Sequence, residues 1–242
     1  MARCGAKQSI DAKQVRRPEN EAIWLGAHEQ EIMPVEDPLK SLAEIHSPDP
    51  RRECLVGTLA DEHEALCTIC LHDGVPESVA QLFETAKNVS LYSWFVYRFH
   101  PVSESVGFAA LELALNLRKT GLSLLPDGYR SPGLRNLLRE AIKNGWIRDQ
   151  EFPSRSAYAQ HSAHLAVIAK IIETGTPSVS LRDVTPGDMN QGFETVSLTK
   201  HILALWPKVR NTLAHGSPRL APTSRRTLRL VAEAINQLFE GE

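Results

Sequence analysis

The chain has few of the features that mark secreted, membrane-bound or disulfide-stabilised proteins. Its 242 residues include only four cysteines, and no apolar run approaches the roughly 18 residues needed to span a bilayer. The first residues, Met-Ala-Arg-Cys-Gly-Ala-Lys-Gln, lack the apolar stretch of a signal peptide. We therefore expect a cytoplasmic protein that has no membrane contact and no disulfide bonds.

Acidic residues are missing from one long part of the chain. No Asp or Glu lies between Thr195 and Ala232. The cations of that part are Lys200, Lys208, Arg210, Arg219, Arg225, Arg226 and Arg229. Acids are concentrated near the N-terminus instead, so the formal net charge of −2 conceals the asymmetry. The basic part favours a polyanionic ligand, because phosphate neutralisation supplies most non-specific affinity for nucleic acid. The alternative is a solvated helix face that the acidic part balances.

Strand patterns are missing as well, with neither βαβ alternation nor an internal repeat. Apolar residues recur at helical spacing, and Pro and Gly separate the periodic segments. The predicted helices cover about 52–71, 77–100, 103–119, 132–143, 157–174, 194–215 and 223–239. We predict an all-α fold: a helical bundle over residues 76–242, preceded by an irregular, acidic and Pro-rich extension over residues 1–75 with one helix.

Two prolines set expected helix boundaries, and one glutamate is a possible partner of Arg210. Pro101 is predicted to end the helix before it, and Pro207 to break or kink the helix around it. Glu112 belongs to a polar stripe on an otherwise apolar helix that is expected to be central. Its carboxylate could support Arg210, or it could have a solvated or interhelical role.

Four potential zinc ligands cluster between residues 63 and 72. Cys67 and Cys70 form a zinc-compatible pair flanked by His63 and His72, but the flanking spacings are not those of a common zinc finger. The cysteines also fall on the apolar side of a predicted helix, where a thiol packs as a small hydrophobe. We therefore predict core packing of the cysteines, no metal site and no cofactor.

Residues 210–216 read Arg-Asn-Thr-Leu-Ala-His-Gly and combine groups suited to RNA cleavage. Arg210 is permanently charged and can form paired hydrogen bonds with phosphate oxygens. His215 can exchange a proton near neutral pH, and Asn211, one helical turn earlier, can fix its tautomer. Together they supply proton transfer and charge stabilisation without a metal. The alternative is a chance combination in which Gly216 is an ordinary helix stop.

We accordingly predict three catalytic residues, Arg210, Asn211 and His215. The predicted RNA- and phosphate-binding residues are Lys208, Arg219, Arg225, Arg226 and Arg229.

Arg-Asn followed by three residues, His and Gly resembles the signature of HEPN domains (higher eukaryotes and prokaryotes nucleotide-binding). The segment from Leu91 to His100 and the Ala- and Leu-rich segment 108–118 are also similar to uncharacterised bacterial members. The resemblance covers residues 77–240 and implies an all-helical, metal-independent endoribonuclease. It also implies a homodimer, in which two motifs meet across a twofold axis so that one His acts as base and the other as acid.

The resemblance further implies a role in bacterial defence, stress or toxin–antitoxin systems, with RNA and an antitoxin or other regulator as partners. Ser217 stands where members controlled by a nucleotidyltransferase carry an adenylylated Tyr, which argues against that control. Two other functions stay open: a non-catalytic HEPN module that binds nucleotide, RNA or a partner protein, and a helical interaction protein with a chance motif. The pair of Arg210 and His215 favours the enzyme, because a binding module has little need for the His.

Overall fold

The structure is a computed structural model that describes residues 37, 39–54, 57–158, 197–214 and 220–240. Over these residues it is helical and has no strand, which confirms the predicted all-α class. The α-helices are α1 (Leu59–Cys67), α2 (Glu77–Tyr92), α3 (Phe99–Thr120), α4 (Leu134–Lys143), α5 (Leu198–Ala214) and α6 (Ser224–Phe239). Two short 3-10 helices span Pro50–Cys54 and Asp149–Glu151. The helix predicted over 157–174 lies outside the described residues, except for its first two positions.

Helix α3 lies at the centre of the bundle, as its apolar circumference predicts. Helices α2, α4, α5 and α6 all pack against it. The largest fully buried side chains are Phe83, Phe108, Leu111, Leu115, Leu137, Leu138, Ile147, Leu198, Ile202, Leu228, Ile235 and Leu238. Because α5 and α6 share this neighbour, α3 positions both helices that carry the predicted functional residues.

The connection between α2 and α3 differs from the prediction. Helix α2 ends at Tyr92, and Pro101 belongs to the first turn of α3 instead of ending the helix before it. The first N–H groups of a helix have no intrahelical partner, so a proline in that turn costs no hydrogen bond. Ser103, where the helix was predicted to begin, is buried inside α3 and donates its hydroxyl to the Ala86 carbonyl of α2 at 2.8 Å.

Helix α6 buries one face and exposes arginines on the other, as predicted. Leu228, Val231 and Ile235 are fully buried against the core. Its contact with α3 is close at Gly107, where an added Cβ would lie 2.7 Å from Cδ2 of Leu228. The missing side chain therefore allows the two helices to approach.

Helix α5 continues through Pro207, so the predicted break is wrong. The proline lacks an N–H, which removes the hydrogen bond to the Leu203 carbonyl. Buried contacts immediately before the proline anchor the helix to the core. Ile202 is fully buried, and the Trp206 ring lies edge-on to Phe108 of α3 with 5.6 Å between centroids.

Residues 44–242 form one compact unit, which includes residues 44–75 of the predicted extension. The buried Asp49 carboxylate accepts the Tyr97 amide at 2.9 Å and pairs with the Arg51 guanidinium at 2.8 Å. Burial raises the pKa of Asp49, but these hydrogen bonds outweigh it and lower the value to about 2. The single helix predicted over 52–71 is instead a 3-10 helix and α1, separated by residues that include Gly57 at φ 117°.

Cys67, the last residue of α1, and Cys70 beyond it do not pack in the core, so that expectation is wrong. Cys67 and Cys70 are exposed, free thiols. Leu66 and Ile69 take the buried positions beside them. The aliphatic residues thus lie inward, and both thiols face solvent.

Candidate functional site

Helix α5 presents Arg210 at the surface, one turn after the buried Trp206. The Arg210 side chain is 42% exposed, and its Nη2 lies 3.3 Å from Oε2 of Glu112 on α3. Of the two roles open to Glu112, the structure therefore shows the pairing with Arg210. The guanidinium is held from one side and leaves other N–H groups available to a ligand.

The Glu112 carboxylate is itself held by a polar network. Its Oε1 accepts the Ser131 hydroxyl at 2.8 Å, and Ser131 in turn accepts from Nδ2 of Asn116 at 3.2 Å. The buried Asn116 accepts the Tyr129 hydroxyl at 3.1 Å. The loop between α3 and α4 thus fixes the acid that orients Arg210. Sequence reasoning missed Ser131 and Tyr129, since only their turn-rich setting was visible.

The other predicted motif residues are only partly described. Lys208 and Asn211 are exposed on α5. His215 and Arg219 lie outside the described residues, so the catalytic pairing of Arg210 with His215 stays a prediction. The described part of the motif therefore consists of the oriented Arg210 guanidinium and the exposed side chain of Asn211.

The first turn of α6 carries two of the predicted phosphate-binding arginines. Nη1 of Arg225 donates to the Glu62 carboxylate of α1 at 3.1 Å. Nε of Arg226 donates to the Tyr158 hydroxyl at 2.9 Å, and its guanidinium lies 4.5 Å from the centre of that ring. Both cations are held in place, one by a charged partner and one by a neutral partner.

A cavity of about 490 Å³ opens beside these arginines. It is lined by Ala65, Ser154, Ala157, Tyr158, Arg225, Arg226 and Arg229. Nη2 of Arg229 donates to the Thr68 hydroxyl at 3.3 Å. Burial, and after it the Arg226 charge, lowers the pKa of His201 on α5. The positive field of the cavity therefore extends to α5.

A buried polar cluster joins α2, α3 and α6 and was not foreseen from the sequence. The Ser224 hydroxyl lies 2.7 Å from both Nδ1 of His100 and the Ser90 hydroxyl. Within the described part of the chain, Nε2 of His100 has no hydrogen-bond partner. Burial, and after it the Arg52 charge, lowers the pKa of His100 to about 4. The cluster is closed to solvent and holds a neutral imidazole.

Comparison with protein-family models, curated proteins and solved structures finds no match to this chain. Among the described residues, no group of three or more His, Cys, Asp or Glu side chains is arranged to hold a metal ion. No helix in that part of the chain is long and apolar enough to cross a membrane.

Proposed function

We propose that the chain is a HEPN-type endoribonuclease that cleaves RNA by attack of the ribose 2′-OH. The observation that carries the proposal is the ion pair between Arg210 and Glu112. It holds a half-exposed guanidinium at the surface near the end of α5, and His215 follows Arg210 by five residues. A fixed cation can stabilise the charge of a phosphorane, and an imidazole five residues later in the sequence can transfer the protons.

The proposed reaction is a transesterification. One His takes the proton of the 2′-OH, whose oxygen attacks phosphorus. The bond from phosphorus to the 5′-oxygen breaks, and a second His protonates that leaving oxygen. The products are a 2′,3′-cyclic phosphate and a 5′-OH end. Each chain supplies one His215, so the two-proton scheme needs a homodimer with the motifs facing each other across a twofold axis.

Arg210 is proposed to bind the scissile phosphate through two N–H groups, while Glu112 keeps hold of the guanidinium. This geometry uses the planar fork of Arg, which a Lys ammonium cannot reproduce. Asn211 is proposed to position the imidazole of His215, and Lys208 to contact the RNA backbone. The biological setting proposed is a bacterial defence, stress or toxin–antitoxin system.

The test is RNA cleavage by the purified full chain and by single variants. His215→Ala should lose on the order of 10²–10⁴-fold in rate, and Arg210→Ala a comparable factor. Arg210→Lys should recover only part of the loss. The matched control is Arg135→Ala, because Arg135 is an exposed arginine of α4 that is not part of the Arg-Asn motif. Cleavage should persist in EDTA, leave DNA intact and yield 2′,3′-cyclic phosphate ends.

The second candidate is a non-catalytic HEPN module that binds nucleotide, RNA or a partner protein. The surface cation Arg210 serves that function equally well, since binding needs charge and not proton transfer. Full cleavage by His215→Ala, or cleavage that stops in EDTA, would contradict the nuclease mechanism. RNA binding that depends on Arg210 but not on His215, with no cleavage by any variant, would support the module.

A further inference from the structure

We propose that the cavity between α1, α6 and residues 154–158 binds a compact anion with two or more adjacent phosphate groups. The proposal uses neither Arg210 nor His215 and does not rest on the nuclease function. The sequence predicts that the α6 arginines contact RNA phosphates. Their arrangement around a cavity instead favours a discrete oligophosphate over an extended RNA backbone.

The first argument is the convergence of charge. Arg225 and Arg229 are one helical turn apart on α6, and Arg226 lies between them, so three guanidiniums line one cavity. Two phosphate groups joined by one oxygen present several negative oxygens within a short distance. Three guanidiniums that line one cavity match the concentrated negative charge of two adjacent phosphate groups. They match the separated phosphates of a nucleic-acid backbone less well.

The second argument concerns the hydrogen bonds that the arginines already make. Each guanidinium has five N–H donors. Within the described residues, Arg225, Arg226 and Arg229 each donate once to a side chain that holds the group in place. Most donors of each group therefore stay available, and the guanidiniums are ordered before a ligand arrives. Such preorganisation lowers the entropy cost of binding.

The third argument is the space. The cavity of about 490 Å³ lies in the range of small-molecule sites. Two of its lining residues, Ala65 and Ala157, have the smallest side chains that still carry a Cβ, which leaves room next to the arginines. The hydroxyl of Ser154 and the ring of Tyr158 complete the lining.

Two carboxylates face this group and offset only part of its charge. Among the described residues, Glu62 pairs with Arg225. Glu233 accepts hydrogen bonds from the Ser154 hydroxyl and amide, and burial raises its pKa. Three cations against these two acids leave a net positive site.

The test is calorimetric titration of the full chain with inorganic pyrophosphate, with inorganic phosphate as the weaker comparison. We expect saturable one-to-one binding of pyrophosphate. Arg226→Ala and Arg229→Gln should each weaken it roughly ten- to hundredfold, the cost of losing charge-assisted hydrogen bonds. Arg135→Ala on α4 is the control for loss of one surface charge and should leave the affinity unchanged.

A second variant distinguishes binding inside the cavity from binding to an open basic surface. Ala157→Leu fills the space but keeps all three arginines, so it should abolish pyrophosphate binding. Unchanged binding by this variant, or no saturable binding by the wild-type chain, would overturn the proposal. Equal affinity for RNA without terminal phosphates, sensitive only to salt, would also overturn it, because the arginines would then act as a backbone-binding surface.

A competition experiment then identifies which kind of molecule supplies the phosphate groups. A nucleoside triphosphate and an RNA oligonucleotide with a 5′-triphosphate compete separately against pyrophosphate. Tighter competition by the nucleotide assigns the site to a free small molecule. Tighter competition by the RNA assigns it to a transcript end, which offers the same chemistry.

Discussion

Oε2 of Glu112 lies 3.3 Å from Nη2 of Arg210, so an ion pair joins α3 and α5 where the Arg-Asn pattern lies at the protein surface. The other oxygen of Glu112 is occupied by Ser131 at 2.8 Å. The Ser131 hydrogen bond therefore restricts rotation of the Glu112 carboxylate. The restricted carboxylate in turn orients the Arg210 side chain.

Glu112→Gln should reduce RNA cleavage by about tenfold, because Arg210 loses a charge-assisted hydrogen bond while the side-chain shape is kept. Unfolding free energy should fall by less than about 1 kcal/mol, since the pair is partly exposed. The measurements are single-turnover cleavage and chemical denaturation. Glu140→Gln is the matched control, because Glu140 forms another interhelical pair, with Lys119 at 2.5 Å. Equal rates for the two variants would show that Glu112 does not position Arg210.

The buried His100 should make the fold sensitive to mild acid. Its pKa falls from 6.5 to about 4 on folding, so the unfolded chain binds the proton more readily. Stability should be complete above pH 6.5 and should fall as the pH drops towards 4, by up to roughly 3 kcal/mol. Denaturant titrations at several pH values measure the loss.

His100→Asn provides the comparison for that pH dependence. It should be less stable at pH 7, because Ser224 loses its imidazole partner, but its stability should change much less between pH 6.5 and 4. Asp49, with a pKa of about 2, loses its stabilising effect only at lower pH. The stability changes caused by Asp49 and by His100 therefore fall in different pH ranges. Parallel curves for wild type and variant would assign the acid sensitivity to another group.

Gly107→Val should destabilise the bundle by about 1–3 kcal/mol, because the added side chain meets Leu228, which has no space to move in a filled core. Only 2.7 Å separates a Cβ at this position from Cδ2 of Leu228. Ala109→Val, at an exposed position of the same helix, is the control for a β-branched side chain in α3 that meets no core residue. Thermal unfolding followed by circular dichroism should separate the two variants, and similar midpoints would contradict the close approach.

Purified chain should contain no zinc bound by His63, Cys67, Cys70 and His72. Nδ1 of His72 accepts the Gly74 amide at 3.0 Å, and its Nε2 lies 3.0 Å from the Asn236 carbonyl. Neither ring nitrogen is left as a ligand. Elemental analysis tests this, and one zinc per chain that disappears in Cys67→Ala would refute it. Both thiols should react with a thiol reagent in the native state, because both are exposed.

Much of the helical layout could be predicted because the signals are local. Gly121 takes a left-handed φ of 66° immediately after α3, and Gly145 takes 71° after α4. Such positions are readable because only glycine adopts them without strain. The start of helix α6 was also predicted to within one residue. Its apolar residues recur at helical spacing, and its arginines fall on the opposite face.

The candidate site could be predicted only in part, because its partners are distant in sequence. Arg210 was visible from its motif, but its contact with Glu112 spans 98 residues. The same holds for Arg226, whose Tyr158 partner gave no signal of its own. The two prolines were misread for a different reason: Pro101 stands in a first turn and Pro207 directly after strong core contacts, so tertiary packing outweighed local preference.

Pro207 leaves the Leu203 carbonyl without its helical donor, so the amide ladder of α5 is interrupted ahead of the motif. Openings of the helix that begin at this gap can release residues 208–214 while the contact between Trp206 and Phe108 stays formed. Deuterium uptake should therefore be faster after the proline than before it. We therefore expect the segment that carries Arg210 to open separately from the part of α5 that Ile202 and Trp206 anchor in the core.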